Sequence, residues 1–162
     1  MRRVAPKSEP RIGGIERTIA LHSIGENNDM MKTKSTAFTI ARWDETENKD
    51  WNGGKLTRTL ATKEFKGEID GTSVLEAVML KAEGTQGVMA YVGVERISCT
   101  LEGRTGTFVL IHNAEAIGFE RNATWKILPG SGTDGLTGIS GYGEIAPNHE
   151  FKLIYELPSD DE

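Results

Sequence analysis

The chain holds one cysteine, Cys99, in 162 residues, which excludes an internal disulfide and any zinc site built from several thiolates. Its three histidines, His22, His112 and His149, are scattered and form no H-E-x-x-H or i, i+4 pair, so neither a metal nor any other cofactor is expected. Basic residues are outnumbered, 19 Lys and Arg against 24 Asp and Glu, for a net charge of -5. That balance lacks the basic footprint of a nucleic-acid binder. No apolar run is long enough to span a bilayer. The basic opening MRRVAPKSEPR leads into IGGIERTIAL, where Glu16 and Arg17 interrupt the apolar core that a signal peptide needs. Nucleic acid and membrane are therefore not expected as partners, and the expected location is the cytoplasm.

Residues 1–34 carry Pro6, Pro10 and the polar run 25–29 without a sustained period, and read as a flexible N-terminal extension. Translation starting at Met30 or Met31 would remove most of it. From Ser35 onward there is no convincing amphipathic helix. Instead, eight short β-like runs are separated by glycines: 36–43, 56–66, 72–82, 88–101, 105–113, 124–128, 138–145 and 151–157. Such a series indicates an all-β sandwich or a closed barrel, with the domain over 35–158 and an acidic C-terminal tail at 159–162. Asp70-Gly71 is a two-residue hairpin signal. It predicts Phe65 opposite Glu76, with Glu76 among Val74, Val78 and Leu80 either as a second interior carboxylate or as a solvated group on the outer face.

The segment VGVERISCTLEGRTGTFVLIHN, residues 92–113, reads as a hairpin closed on Glu102-Gly103. That turn predicts Leu101 opposite Arg104, Cys99 opposite Gly106, Ile97 opposite Phe108, Glu95 opposite Leu110 and Gly93 opposite His112. Glu95 and His112 then lie diagonally on one face with Ile97, Cys99, Phe108 and Leu110. A carboxylate and an imidazole among apolar neighbours suit general acid–base work on a small apolar substrate, or else a hydrogen-bonded pair that only fixes the strands. The opposite face, with Val92, Val94, Val109 and Ile111 around Arg96, is apolar enough to suggest burial in a homo-oligomer.

Residues 130–135, GSGTDG, spell the dinucleotide-binding pattern, but Pro129 precedes them and extended chain follows, so no helix N-terminus is offered to a phosphate. The loop reads as a strand connection in which Ser131 and Thr133 line a rim. His149-Glu150 beside Pro147 reads as a turn.

Ala41-Arg42-Trp43-Asp44-Glu45, the stretch 65–71 with Glu76, the stretch 91–96 continuing through 103–108 to His112, and Pro129-Gly130-Ser131-Gly132-Thr133 before Leu136-Thr137-Gly138 occur in this order. With these, the chain resembles a bacterial domain family of unknown function whose fold is an allene oxide cyclase-like β-barrel. The resemblance implies a closed antiparallel barrel of about eight strands, of allene oxide cyclase-like or lipocalin-like architecture, and implies no known reaction. Two readings follow. In the first, the barrel holds a small hydrophobic molecule, with Glu95 and His112 as acid–base pair and Glu76, Phe108, Leu110, Ser131 and Thr133 contacting the ligand, in cofactor-free, isomerase- or cyclase-like chemistry. In the second, Phe65, Phe108, Phe151, Trp43 and Trp125 fill the interior and the barrel is a structural, self-associating protein.

Overall fold

The computed structural model describes residues 31–84 and 87–159. Eight strands close into a barrel in sequence order: β1 (Lys32–Asn48), β2 (Gly54–Gly67), β3 (Ile69–Ala82), β4 (Met89–Leu101), β5 (Arg104–Ile117), β6 (Glu120–Ile127), β7 (Ser140–Ile145) and β8 (Phe151–Glu156). All neighbours are antiparallel. The eight expected runs are thus eight strands, and β1 already pairs with β8 at Lys32. Residues 1–30 of the expected extension, and the tail from 160 onward, lie outside the described residues. Among the described residues no helix is long and apolar enough to cross a membrane.

The β4–β5 turn behaves as its sequence requires. Glu102 and Gly103 both have positive φ, 54° and 74°, the combination that matches a two-residue loop to the twist of its strands. All five predicted cross-strand pairs form, from Leu101 opposite Arg104 to Gly93 opposite His112.

The β2–β3 register is different from the one expected. The chain turns at Glu68, Phe65 faces Gly71, and Glu76 faces Leu60. Gly71 is therefore a strand residue, and its missing side chain serves close packing: a Cβ there would sit 2.0 Å from the carbonyl oxygen of Ser98 on β4. Moving the turn exchanges the two faces. Ile69, Ser73, Leu75 and Ala77 point inward, while Glu76 lies exposed outside, 3.6 Å from Arg96.

The barrel is sealed at one end and open at the other. β8 covers β1 only along Lys32–Thr36, and β7 meets β6 only at Trp125 and Lys126. Beyond these points β1 to β6 continue as a trough. At the sealed end Phe65, Ile69, Ile97, Leu101, Phe108 and Tyr155 pack into one core. Toward the mouth the inward positions shrink to Thr57, Thr59, Ala77, Gly93, Ala114 and Ala123, so the interior there is not filled. Aromatics thus fill one half of the barrel, and small residues keep the other half open. Of the expected interior aromatics, Trp43 is the exception, lying 45% exposed on the unsealed part of β1.

Candidate functional site

Six polar or aromatic groups meet between the packed end and the mouth. Glu95 on β4 and His112 on β5 are each 1% exposed, and His112 Nε2 lies 2.7 Å from Glu95 Oε2. Their diagonal placement follows from the β4–β5 register, as the sequence predicts. The carboxylate also receives the Ser73 hydroxyl at 2.6 Å, and Lys63 Nζ lies 3.1 Å from its Oε1 and 3.3 Å from its Oε2. Lys63 and Ser73 are themselves cross-strand partners on β2 and β3. The Lys63 ammonium further lies over the rings of Phe38 and Trp125, at 5.5 and 5.7 Å from their centroids.

Burial alone would push the Glu95 carboxyl upward. The hydrogen bond from His112, the charges of Lys63 and His112 and the Ser73 hydroxyl outweigh it and bring the group to about 2. Glu95 is thus ionised near neutrality, an anion fully enclosed but fully partnered.

On its other side His112 Nδ1 stands 3.1 Å from the Tyr91 hydroxyl, and the Trp125 indole N–H donates to that same hydroxyl at 3.0 Å. An indole can only donate, and an ionised carboxylate can only accept. This fixes the direction of the chain in the neutral imidazole: Trp125 N–H to the Tyr91 oxygen, Tyr91 O–H to His112 Nδ1, and His112 Nε2–H to Glu95. Burial is the chief cause that raises the Tyr91 phenol above its ordinary 10.0, with the Glu95 charge adding and the Trp125 bond opposing, so Tyr91 carries its proton at rest.

Tyr91 also belongs to the wall of a cavity of about 420 Å³ at the mouth, together with Thr57, Met79, Met89, Ala90, Ala114 and Ala123. Such a volume lies within the range of small-molecule sites. The polar chain therefore runs from a sealed carboxylate to a hydroxyl at the cavity wall.

The structure separates the residues singled out in sequence. Glu95 and His112 meet. Phe108 and Leu110 are wholly buried in the packed core below the cavity rather than on its wall. Glu76 is on the outer surface. Ser131 and Thr133 serve β5: Ser131 Oγ accepts the Val109 amide at 3.0 Å, and Thr133 Oγ1 accepts the Thr107 amide at 3.1 Å. They replace strand partners where β6 does not reach, and a single turn of 3-10 helix at Asp134–Leu136 follows. His149 sits exposed in the β7–β8 turn with φ 63°. The sequence does not single out Lys63, Ser73 or Tyr91, and offers Trp125 only as filling of the interior. Among the described residues no three His, Cys, Asp or Glu side chains gather as a metal site would require.

A sequence model of the family described as "Protein of unknown function (DUF3224)" matches residues 34–158. No curated protein matches the chain. Among solved structures, a protein with unknown function from the DUF3224 family of Shewanella oneidensis MR-1 is similar, with a TM-score of 0.65 and 24% identity, over 80% of this chain and 99% of that one. At that identity the likeness concerns the fold.

Proposed function

Since the chain belongs to the DUF3224 family, whose function is unknown, we propose that its barrel binds a small, mostly apolar molecule in the mouth cavity and moves a proton on it without a cofactor. One observation carries this reading: Tyr91 is at once a wall residue of the cavity and a member of the buried hydrogen-bonded chain. In the proposed step a proton leaves the bound molecule for the Tyr91 oxygen while the phenolic proton passes to His112 Nδ1. The imidazolium so formed is stabilised by the Glu95 carboxylate, and Trp125 N–H stabilises the phenolic oxygen during the transfer. Returning the proton at another atom completes an isomerisation. Lys63 and Ser73 position the carboxylate.

The test is native mass spectrometry of the purified chain, followed by incubation of the retained molecule with protein in deuterium oxide. A discrete bound mass that wild type carries and Ala114→Trp does not supports the cavity. Deuterium incorporation by wild type, lost in Tyr91→Phe, supports proton transfer. A molecule retained equally by Ala114→Trp is bound elsewhere and rejects the reading.

Self-association forms part of the same proposal, supported by the outer face. Val78 and Val92 face each other across β3 and β4, 40% and 55% exposed, with Val94 at 43% beside them and the Glu76–Arg96 pair among them. A patch carrying apolar groups and both charge signs suits a second copy of itself. A monomeric mass by light scattering at micromolar concentration rejects it. A cytoplasmic location is also proposed, and the single buried Cys99 thiol suits a reducing compartment.

A further inference from the structure

The outermost inward-facing row of the mouth carries an unusual concentration of one charge. Along the ladder from β2 to β6 it reads Lys55, Lys81, Met89, Ala116 and Arg121, each directly opposite the next. All five line the cavity. Lys55 and Lys81 are a directly opposed cross-strand pair, and like charges in that relation repel. Neither lysine nor Arg121 makes an ion pair with a carboxylate among the described residues. Two acids do border the cavity, but neither stands in this row: Glu45 faces Thr59, two inward positions deeper on β2 than Lys55, and Glu115 has the outward parity of Asn113. A row of three cations, two of them set against each other, is electrostatically incomplete. Below it the wall turns apolar at Met79, Ala114 and Ala123.

We propose that Lys55, Lys81 and Arg121 form a head-group subsite, and that the molecule held in the mouth is an amphipathic anion with its apolar body against Met79 and the alanines and its acidic group at the rim. This rests on the cavity reading given above and adds the ligand's charge to it. The acidic group relieves the Lys55–Lys81 repulsion and gains charge-assisted hydrogen bonds. It also fixes which end of the molecule reaches Tyr91: the body enters first, and the reacting atom lies on the apolar part rather than at the acid.

Three probes with one hydrocarbon body separate the terms: octanoate, octanol and octyltrimethylammonium, each titrated calorimetrically into the full chain. The expected order is octanoate tightest, by about ten-fold or more over octanol, and the ammonium weakest. In the double variant Lys55→Gln, Lys81→Gln, which leaves only Arg121 in the row, octanoate loses most of its advantage over octanol while octanol is unchanged. Circular dichroism establishes that the variant keeps its strands. Ligand-free Lys81→Gln should melt no lower than wild type, because the substitution removes a repulsion. If octanoate and octanol bind wild type equally, the head-group subsite is wrong and the cavity stands. If none of the three binds, the cavity reading and the subsite fall together. If octanoate keeps its advantage in the double variant, the acidic group sits elsewhere and the assignment is overturned.

Discussion

Replacing Glu95 by glutamine removes the negative charge at the centre of the buried cluster and leaves the Lys63 ammonium enclosed without a carboxylate. Breaking a buried pair from one side costs about 3–5 kcal/mol, a large part of the roughly 5–15 kcal/mol that holds a domain of this kind together. The same carboxylate gives an independent route to the magnitude. Its folded-state value is about 2 against an ordinary 4.5. At about 1.4 kcal/mol for each pH unit, that drop corresponds to roughly 3 kcal/mol. Because the folded value is the lower one, this stabilisation is complete above the unfolded value of 4.5 and is lost as the pH falls toward about 2. Urea denaturation at a series of pH values measures both effects. Glu95→Gln should be less stable at neutral pH by about 3–5 kcal/mol and should lack the wild type's steep loss of stability in that acid range. The paired variant Lys63→Met, Glu95→Gln should recover most of the loss, since an uncharged pair leaves no enclosed charge. Equal acid slopes in wild type and Glu95→Gln, or a neutral-pH cost below about 1 kcal/mol, would refute the description of Glu95 as an enclosed, partnered anion.

Ser131→Ala deprives the Val109 amide of its acceptor and should cost about 1–2 kcal/mol by chemical denaturation, with ligand affinity unaltered, because the residue is bound to β5 and not to the cavity. Gly106→Ala places a Cβ 2.1 Å from the Thr133 carbonyl oxygen, so it should lower the melting temperature by pushing the same loop off β5, at a cost of about 1–3 kcal/mol. Tyr91→Phe leaves the Trp125 indole N–H without its acceptor and should cost about 1–2 kcal/mol, while abolishing deuterium incorporation into a bound substrate.

How far the sequence led depended on turn chemistry. Glu102-Gly103 set one hairpin, and from it the meeting of Glu95 with His112 was legible through strand alternation alone. Tyr91 was within the same reach, two inward positions before Glu95 on β4 and opposite Ala114, next to His112. Trp125 required the β5–β6 turn, for which Gly118 with φ 60° was the signal: a glycine at the first central position of a two-residue loop between Ile117 and Glu120. Lys63 and Ser73 were hidden by Asp70-Gly71, whose spelling favours a turn although Gly71 is needed for its close approach to Ser98. With the turn at Glu68 the two fall opposite each other and face inward. A local signal is ambiguous between a bend and a tight contact, and only the neighbouring strand decides. The open mouth was less legible still, because it arises where β8 stops pairing β1 at Thr36, a long-range event with no local mark.

The most direct measurement is the amide NMR spectrum of the full chain during titration with octanoate, wild type beside Ala114→Trp. Binding in the mouth predicts saturable shifts gathered at Met79, Tyr91, Ala114 and Ala123 in the wild type, and their loss when the tryptophan occupies the mouth. Saturable shifts confined to the outer face around Val92, or identical titrations of the two proteins, would contradict it.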